Sequence, residues 1–276
     1  NIHVDRENRS FRCQGVAGAM IRSGTVEDHE TPGTGDCVVA DFKNGFFAVA
    51  DSSRRHKIAS RKFLLKISRI IEELGEVQFR TIFPVEAVKG MVQQLRERTE
   101  SVLAKIPYTE SCTFTGLLLV KSDVGLKGIL LHAGDSLLFR DEPGGKLEQI
   151  SETNFWMVGR SRKLYQSELI EVPKGATFIL TTDGISDLAF SDYAARDACL
   201  VELIRDVEVE DIPDKLIEGF DSQPSPVDDL GFVILRPERI PPKGDRIIMG
   251  GTSEIHPLSI RLPALQKKRL RIPNTR

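Results

Sequence analysis

The order of strand-like and helical segments constrains this chain more than any other feature. Gly15–Ile21 is apolar and small, as in a strand, and the polar loop Ser23–Gly35 follows it. Cys37–Phe42 and Phe46–Ala50 are β-rich and joined by Lys43-Asn44-Gly45, a tight-turn sequence. Two helices are expected next. Ile58–Leu74 carries Phe63, Leu64, Ile67, Ile70 and Ile71 at helical spacing, and Pro84–Ile106 carries Val88, Met91, Leu95, Val102 and Leu103. Strands return at Thr113–Val120, Gly128–His132, Ser136–Arg140, Lys146–Ile150, Leu169–Val172 and Ala176–Thr181. Helices near Ala194–Asp206 and Pro213–Phe220 precede a last strand, Gly231–Leu235. Most strands are joined by short turns rather than crossover helices. That pattern predicts an α+β chain with mainly antiparallel sheets and segregated helices. Two packed sheets covered outside by helix pairs would bury every apolar face.

At 276 residues with net charge −2, the chain can bury a sizeable core and makes no whole-chain electrostatic case for nucleic acid. Cys13, Cys37, Cys112 and Cys199 form no CxxC pair, which argues against structural zinc and a disulfide framework. A reducing, cytoplasmic location is the resulting expectation. No apolar run is long enough to span a bilayer, and the polar N-terminus does not look like a signal peptide. After Arg236 the character changes. Pro237, Pro241 and Pro242 interrupt structure and the end is basic, with KKRLR at Lys267–Arg271. A catalytic domain over 1–238 and a tail or appended element over 239–276 are expected, the tail being either a solvated arm or a docking surface for an acidic partner or a membrane.

The chemical signal is a set of aspartates at strand ends. Asp36 opens a strand, Asp51 closes FFAVA, Asp135 follows LLHAG, Asp183 closes FILTT, and Asp228 precedes the last strand. A single aspartate there is ordinary turn chemistry. Several meeting at one rim would repel one another unless divalent cations intervened, and oxygen ligands suit Mg²⁺ or Mn²⁺.

The flanking sequences carry a resemblance. Phe47–Asp51 (FAVAD), Ala133–Ser136 (AGDS), Thr181–Asp187 (TTDGISD) and Asp228–Val233 (DDLGFV) occur in the order seen in metal-dependent, type 2C (PPM) protein phosphatases. The GTGDC around Asp36 is closer to their sporulation stage II E-like bacterial branch. The resemblance implies a four-layer α-β-β-α sandwich and a phosphoserine/phosphothreonine phosphatase acting on phosphorylated proteins through two metal ions. It implies that Asp51 bridges the metals, Asp183 and Asp228 hold the first, and Asp36 holds the second or its waters. The carbonyl of Ser52 would be a further ligand of the second metal, and Asp135 and Asp187 would form a weaker third site. The chain departs from the pattern in three places. Ser52 replaces the usual glycine. No arginine precedes Asp36 to grip the substrate phosphate, leaving Arg22, Arg54 and Arg55 as candidate substitutes. Ser53 stands where eukaryotic members have a histidine, with His56 and His132 nearby. These departures keep two alternatives open: a pseudophosphatase binding module, and a two-metal hydrolase of small phosphoesters.

Overall fold

The computed structural model describes residues 2–5, 10–21, 34–52, 58–74, 81–189, 193–221, 228–240, 246–252 and 260–261. With strands numbered in chain order, one sheet has seven: β1 (His3–Asp5), β2 (Ser10–Cys13), β3 (Val16–Ile21), β13 (Leu230–Leu235), β12 (Thr177–Thr181), β9 (Leu137–Asp141) and β10 (Glu148–Gln149), side by side in that order. The other runs β11 (Gln166–Glu171), β8 (Gly125–Ala133), β7 (Phe114–Ser122), β5 (Phe46–Ala50), β4 (Thr34–Asp41), β14 (Arg246–Thr252) and β15 (Ile260–Arg261). Short β6 (Ile82–Phe83) lies parallel to β7, and every other pairing is antiparallel.

The two sheets face each other through Met20, Val38, Phe42, Phe47, Leu117, Phe178 and Val233. Phe42 stacks edge-on against both Phe11 and Phe47, with ring centroids 6.4 and 5.9 Å apart. Each such side chain contributes roughly 1.5–3 kcal/mol by leaving water. Helices α1 (Ala59–Glu73) and α2 (Val85–Leu103) cover the outer face of the second sheet through Phe63, Leu64, Ile67, Val88 and Leu95. Helices α3 (Tyr193–Asp206) and α4 (Ile212–Asp221) cover the first through Leu200, Ile204, Ile212 and Leu216. The result is a four-layer α-β-β-α sandwich. Its inner strands are covered on both faces, so they read as continuous apolar runs rather than as alternating ones. Every residue of β3, β4, β5, β12 and β13 is buried.

The strand Leu230–Leu235 is not the last. β14, within the stretch expected to be a tail or appended element, pairs antiparallel with β4 from Arg246↔Asp41 to Thr252↔Thr34, with a shift in register between Gly250 and Thr252. The Arg246 guanidinium secures it by meeting Asp41 at 2.5 Å and Glu72 of α1 at 2.6 Å. Asp41 also accepts the Asn44 amide, so a single buried carboxylate ties the β4–β5 turn to the C-terminal strand. KKRLR at 267–271 lies outside the described residues.

Candidate metal centre

The inner strands carry the acids to one end of the sandwich. Asp36 is third in β4, within the strand rather than opening it, and is only 2% exposed. Thr182 donates its hydroxyl to Asp36 Oδ2 at 2.6 Å and accepts the Gly231 amide at 2.9 Å, linking β4 to the ends of β12 and β13. Asp51 follows β5. Its backbone is pinned on both sides by Thr113, whose Oγ1 accepts the Asp51 amide at 2.9 Å and whose own amide donates to the Asp51 carbonyl at 2.7 Å.

The Asp36 and Asp51 carboxyls lie close enough for each to shift the other's titration. Burial pushes the Asp36 carboxyl well above the usual carboxylate range, and the charges of Asp51 and Asp229 push it further. Burial also raises Asp51 strongly, and the charges of Asp183, Asp228 and Asp135 add to it, while the bond from Asp36 offsets part of the rise. Asp135, half-buried in the turn after β8, is raised by burial and then by the charge of Asp228.

Asp135, Asp183 and Asp228 line one cleft of about 620 Å³, together with Leu137, Gln149, Thr153, Ser186 and Arg196. The chain around Asp183 fits there because Gly184 has no side chain: a Cβ at that position would stand 2.1 Å from the Asp229 carbonyl oxygen. Asp228 accepts the Asp229 amide through its own Oδ1 at 2.8 Å. Among the described residues, no three His, Cys, Asp or Glu side chains are gathered into one ion-sized ligand set. Asp36 and Asp51 are buried side by side in charge terms, each acting on the other, while Asp135, Asp183 and Asp228 line the cleft. The donor set is all oxygen, and burial together with the charges of neighbouring carboxylates pushes Asp36, Asp51 and Asp135 above the usual carboxylate range. Such a set fits a hard divalent cation, whose charge would relieve the strain.

Ser52, where the resemblance expects glycine, is 2% exposed and accepts the Ser60 amide through Oγ at 2.9 Å. Ser60 in turn donates its hydroxyl to the Gly35 carbonyl at 2.5 Å. This serine pair joins the residue after Asp51, the residue before Asp36 and the first turn of α1. A glycine at 52 would have no atom for that bond.

His132 does not reach the cleft. It is fully buried, with Nδ1 2.9 Å from Thr115 Oγ1 and Nε2 donating to the Glu152 carbonyl at 2.9 Å. Burial lowers its pKa and keeps the ring neutral. Its neighbour Asn154 fixes the Asp135 turn, accepting the Gly134 amide at 3.0 Å while its own amide donates to the Gly134 carbonyl at 3.0 Å. His132 and Asn154 therefore position Asp135 rather than act in the cleft themselves. Asp187 lies in the 3-10 turn Asp183–Ala189, but its side chain falls outside the described residues. So do Arg22, Ser53, Arg54, Arg55 and His56. Sequence reasoning missed Thr113, Thr182 and Arg196. Thr182 sits inside the TTDG motif and was within reach; the other two have no local signal.

No protein-family model matches the chain, and no curated protein matches it. Solved structures do. The PPM Ser-Thr phosphatase MsPP from Mycobacterium smegmatis, in complex with cacodylate, is 18% identical, with a TM-score of 0.55 over 81% of this chain and 99% of that one. The catalytic domain of the serine/threonine protein phosphatase PstP, in complex with two manganese ions, is 17% identical, with a TM-score of 0.55 over 79% of this chain and 96% of that one. The PP2C phosphatase domain of SpoIIE from Bacillus subtilis, with a fragment of its regulatory domain, is 16% identical, with a TM-score of 0.54 over 83% of this chain and 64% of that one. The chain has the fold of these PPM phosphatases.

Proposed function

We propose that this chain is a Mg²⁺- or Mn²⁺-dependent protein phosphatase that hydrolyses phosphoserine and phosphothreonine. The observation that carries the reading is the gathering of two buried carboxyls, Asp36 and Asp51, within electrostatic reach of the acids Asp135, Asp183 and Asp228 that line one cleft. Five acids drawn from five separate stretches of chain, on a sandwich shared with metal-dependent phosphatases, have no structural purpose as strong as holding cations.

Asp51, Asp36, Asp183, Asp228 and the Ser52 carbonyl are the proposed ligands of two ions, and Asp135 with Asp187 those of a weaker third. When bound, divalent ions activate a water as nucleophile and offset charge on the phosphoryl oxygens. The chain's own residues do the rest. Thr182 and Thr113 hold Asp36 and Asp51 in place, and the buried sheets behind them keep bulk water from one side of the cleft. No side-chain nucleophile is needed, so hydrolysis proceeds in a single displacement at phosphorus. The reading includes a phosphoprotein substrate and a reducing, cytoplasmic setting. Free thiols at Cys13, Cys37, Cys112 and Cys199 support the latter.

The test is phosphate release from a phosphothreonine peptide with EDTA, Mg²⁺ or Mn²⁺, in the wild type, Asp51→Asn and Asp183→Asn, with Mn²⁺ binding followed by calorimetry. Turnover that needs metal and is lost in both folded variants, with weakened Mn²⁺ binding, is expected. Unchanged turnover in both variants would refute the ligand assignment, and a wild type that binds no metal at millimolar concentration would leave a binding module with this fold.

A further inference from the structure

We propose that the loop between β10 and β11 is a docking surface for an acidic protein segment with an apolar anchor residue, received by the exposed rings of Phe155, Trp156 and Tyr165 and by the basic side chains between them. This surface is separate from the acids of the metal centre and does not depend on the cleft turning over phosphate.

The loop leaves from the rim of the cleft. Thr153 lines the cleft, and the next residue, Asn154, is buried and bonds to Gly134 in the turn of Asp135. Phe155 follows and is 92% exposed. Trp156 and Tyr165, 46% and 39% exposed, meet edge to face with ring centroids 5.8 Å apart and close the loop at its base. A large apolar side chain left in water forgoes roughly 1.5–3 kcal/mol, and several in one short loop mark a surface that something else covers. The exposure is imposed by a fixed backbone. Asn154 Oδ1 accepts the Trp156 amide at 2.9 Å, Val158 and Cys112 exchange backbone hydrogen bonds at 2.9 and 3.3 Å, and the Tyr165 amide donates to the His132 carbonyl at 3.0 Å. Rings presented on such a loop lose little freedom when a partner covers them.

Charge selects the occupant. From Phe155 to Tyr165 the chain has Arg160, Arg162 and Lys163 and no acid, although its net charge is −2. All three basic residues are exposed, and the Arg160 guanidinium carbon stands 5.3 Å from the ring centroid of exposed Tyr108, which extends the surface to the turn after α2. Aromatic rings beside arginine are the groups that dominate binding energy at protein interfaces, and a run of one sign favours a partner of the other. An anionic membrane also attracts basic and aromatic side chains, but here acids border the loop. Glu152 is exposed and accepts the Tyr165 hydroxyl at 3.1 Å, and exposed Glu168 accepts the Gln166 amide at 3.0 Å. A broad anionic surface would have to cover these carboxylates as well, whereas a peptide can lie along the basic side and leave them in water. A segment seated there stands beside Thr153, at the edge of the cleft.

The full chain, titrated with a synthetic peptide of glutamates around one leucine, tests this, with a peptide that has lysine in place of each glutamate as the comparison. Trp156 is the one tryptophan of the chain, so its emission reports on this loop, and calorimetry measures the affinity of each variant. The acidic peptide is expected to bind, to move the Trp156 emission to shorter wavelength, and to bind less tightly as salt rises. Phe155→Ser, and Arg162→Glu combined with Lys163→Glu, are each expected to weaken binding about 10-fold. Lys174→Glu, in the turn after β11, is expected to stay within about twofold of the wild type. These side chains are exposed, so urea unfolding should be unchanged. If Phe155→Ser lowers stability, the charge-reversed variant carries the comparison. A wild type that does not bind the acidic peptide, equal binding of the lysine peptide, or wild-type affinity in the variants would each overturn the proposal. So would phosphatidylserine vesicles that bind the chain when the acidic peptide does not and are released by the same substitutions, which would assign the loop to a membrane surface.

Discussion

Gly250→Ala separates the contribution of the C-terminal strand from that of the acids it covers. Gly250 pairs with Cys37, at φ +79°, and its carbonyl accepts Nη1 of Arg61 at 2.8 Å. A Cβ there would lie 2.1 Å from the Asp36 carbonyl oxygen and 2.9 Å from Met20 Cγ, inside the 3.0 Å that real Cβ atoms respect. The first contact is with backbone, so no side-chain rotation relieves it, and β14 must move away from β4. A non-glycine residue at positive φ costs roughly 1–2 kcal/mol. Overpacking adds about 1–3 kcal/mol, giving a loss of about 2–5 kcal/mol. A domain with about 5–15 kcal/mol of stability is weakened by that amount but need not unfold. The displacement falls on the Asp36 backbone, so Mn²⁺ affinity should drop with stability. Gly90→Ala is the control. Nothing stands within 4 Å of its Cβ and it lies within α2, so it should gain about 0.5–1 kcal/mol with no change in Mn²⁺ binding. Urea unfolding and Mn²⁺ calorimetry read both. A Gly250→Ala protein within about 0.5 kcal/mol of the wild type, binding Mn²⁺ equally well, would refute the packing of β14 against Asp36.

Two further outcomes follow from the hydrogen bonds around the centre. Ser52→Gly restores the residue common in type 2C phosphatases but removes the acceptor for the Ser60 amide, and it should cost about 1 kcal/mol in urea unfolding; a stability equal to or above the wild type would show that the bond contributes nothing. His132, with a pKa below the ordinary imidazole value of 6.5, contributes stability that is full above that value and is lost as pH falls toward its folded-state pKa. Unfolding free energy should therefore fall more steeply from pH 7.5 to pH 5 in the wild type than in His132→Gln, and parallel curves would contradict a buried neutral ring.

The parts of this structure legible in the sequence are those whose cause is local. β3, β4, β5, β12 and β13 are covered on both faces, so each announced itself as an apolar run, and the period of Phe63, Leu64 and Ile67 announced α1. Asp51 and Asp183 stood out because each follows such a run. β14 did not, since it is a seven-residue strand that begins four residues after a proline pair, and its partner β4 and its anchor Asp41 lie some 200 positions away. Asp36 was found as an acid but misplaced as a strand opener, because Thr34 and Gly35 join the strand only when β14 pairs beside them.

The same division runs through the site. The acids are written in motifs, but what holds them comes from elsewhere: Thr182 from the end of β12 holds Asp36, Thr113 from before β7 holds Asp51, and Asn154 from a later loop holds the turn carrying Asp135. Ser52 makes the point most sharply. In the sequence it is a missing glycine that keeps a pseudophosphatase reading open. In the structure its hydroxyl accepts the Ser60 amide and so ties the residue after β5 to α1, while the Ser60 hydroxyl ties Gly35 of β4 to the same turn. Arg196 is the complementary case. It carries no motif in its helix, and only the fold brings it to the lining of an acidic cleft. A ligand set can be recognised from one strand at a time, whereas its rigidity and its counter-charge depend on which distant strands and helices the sandwich brings to that end.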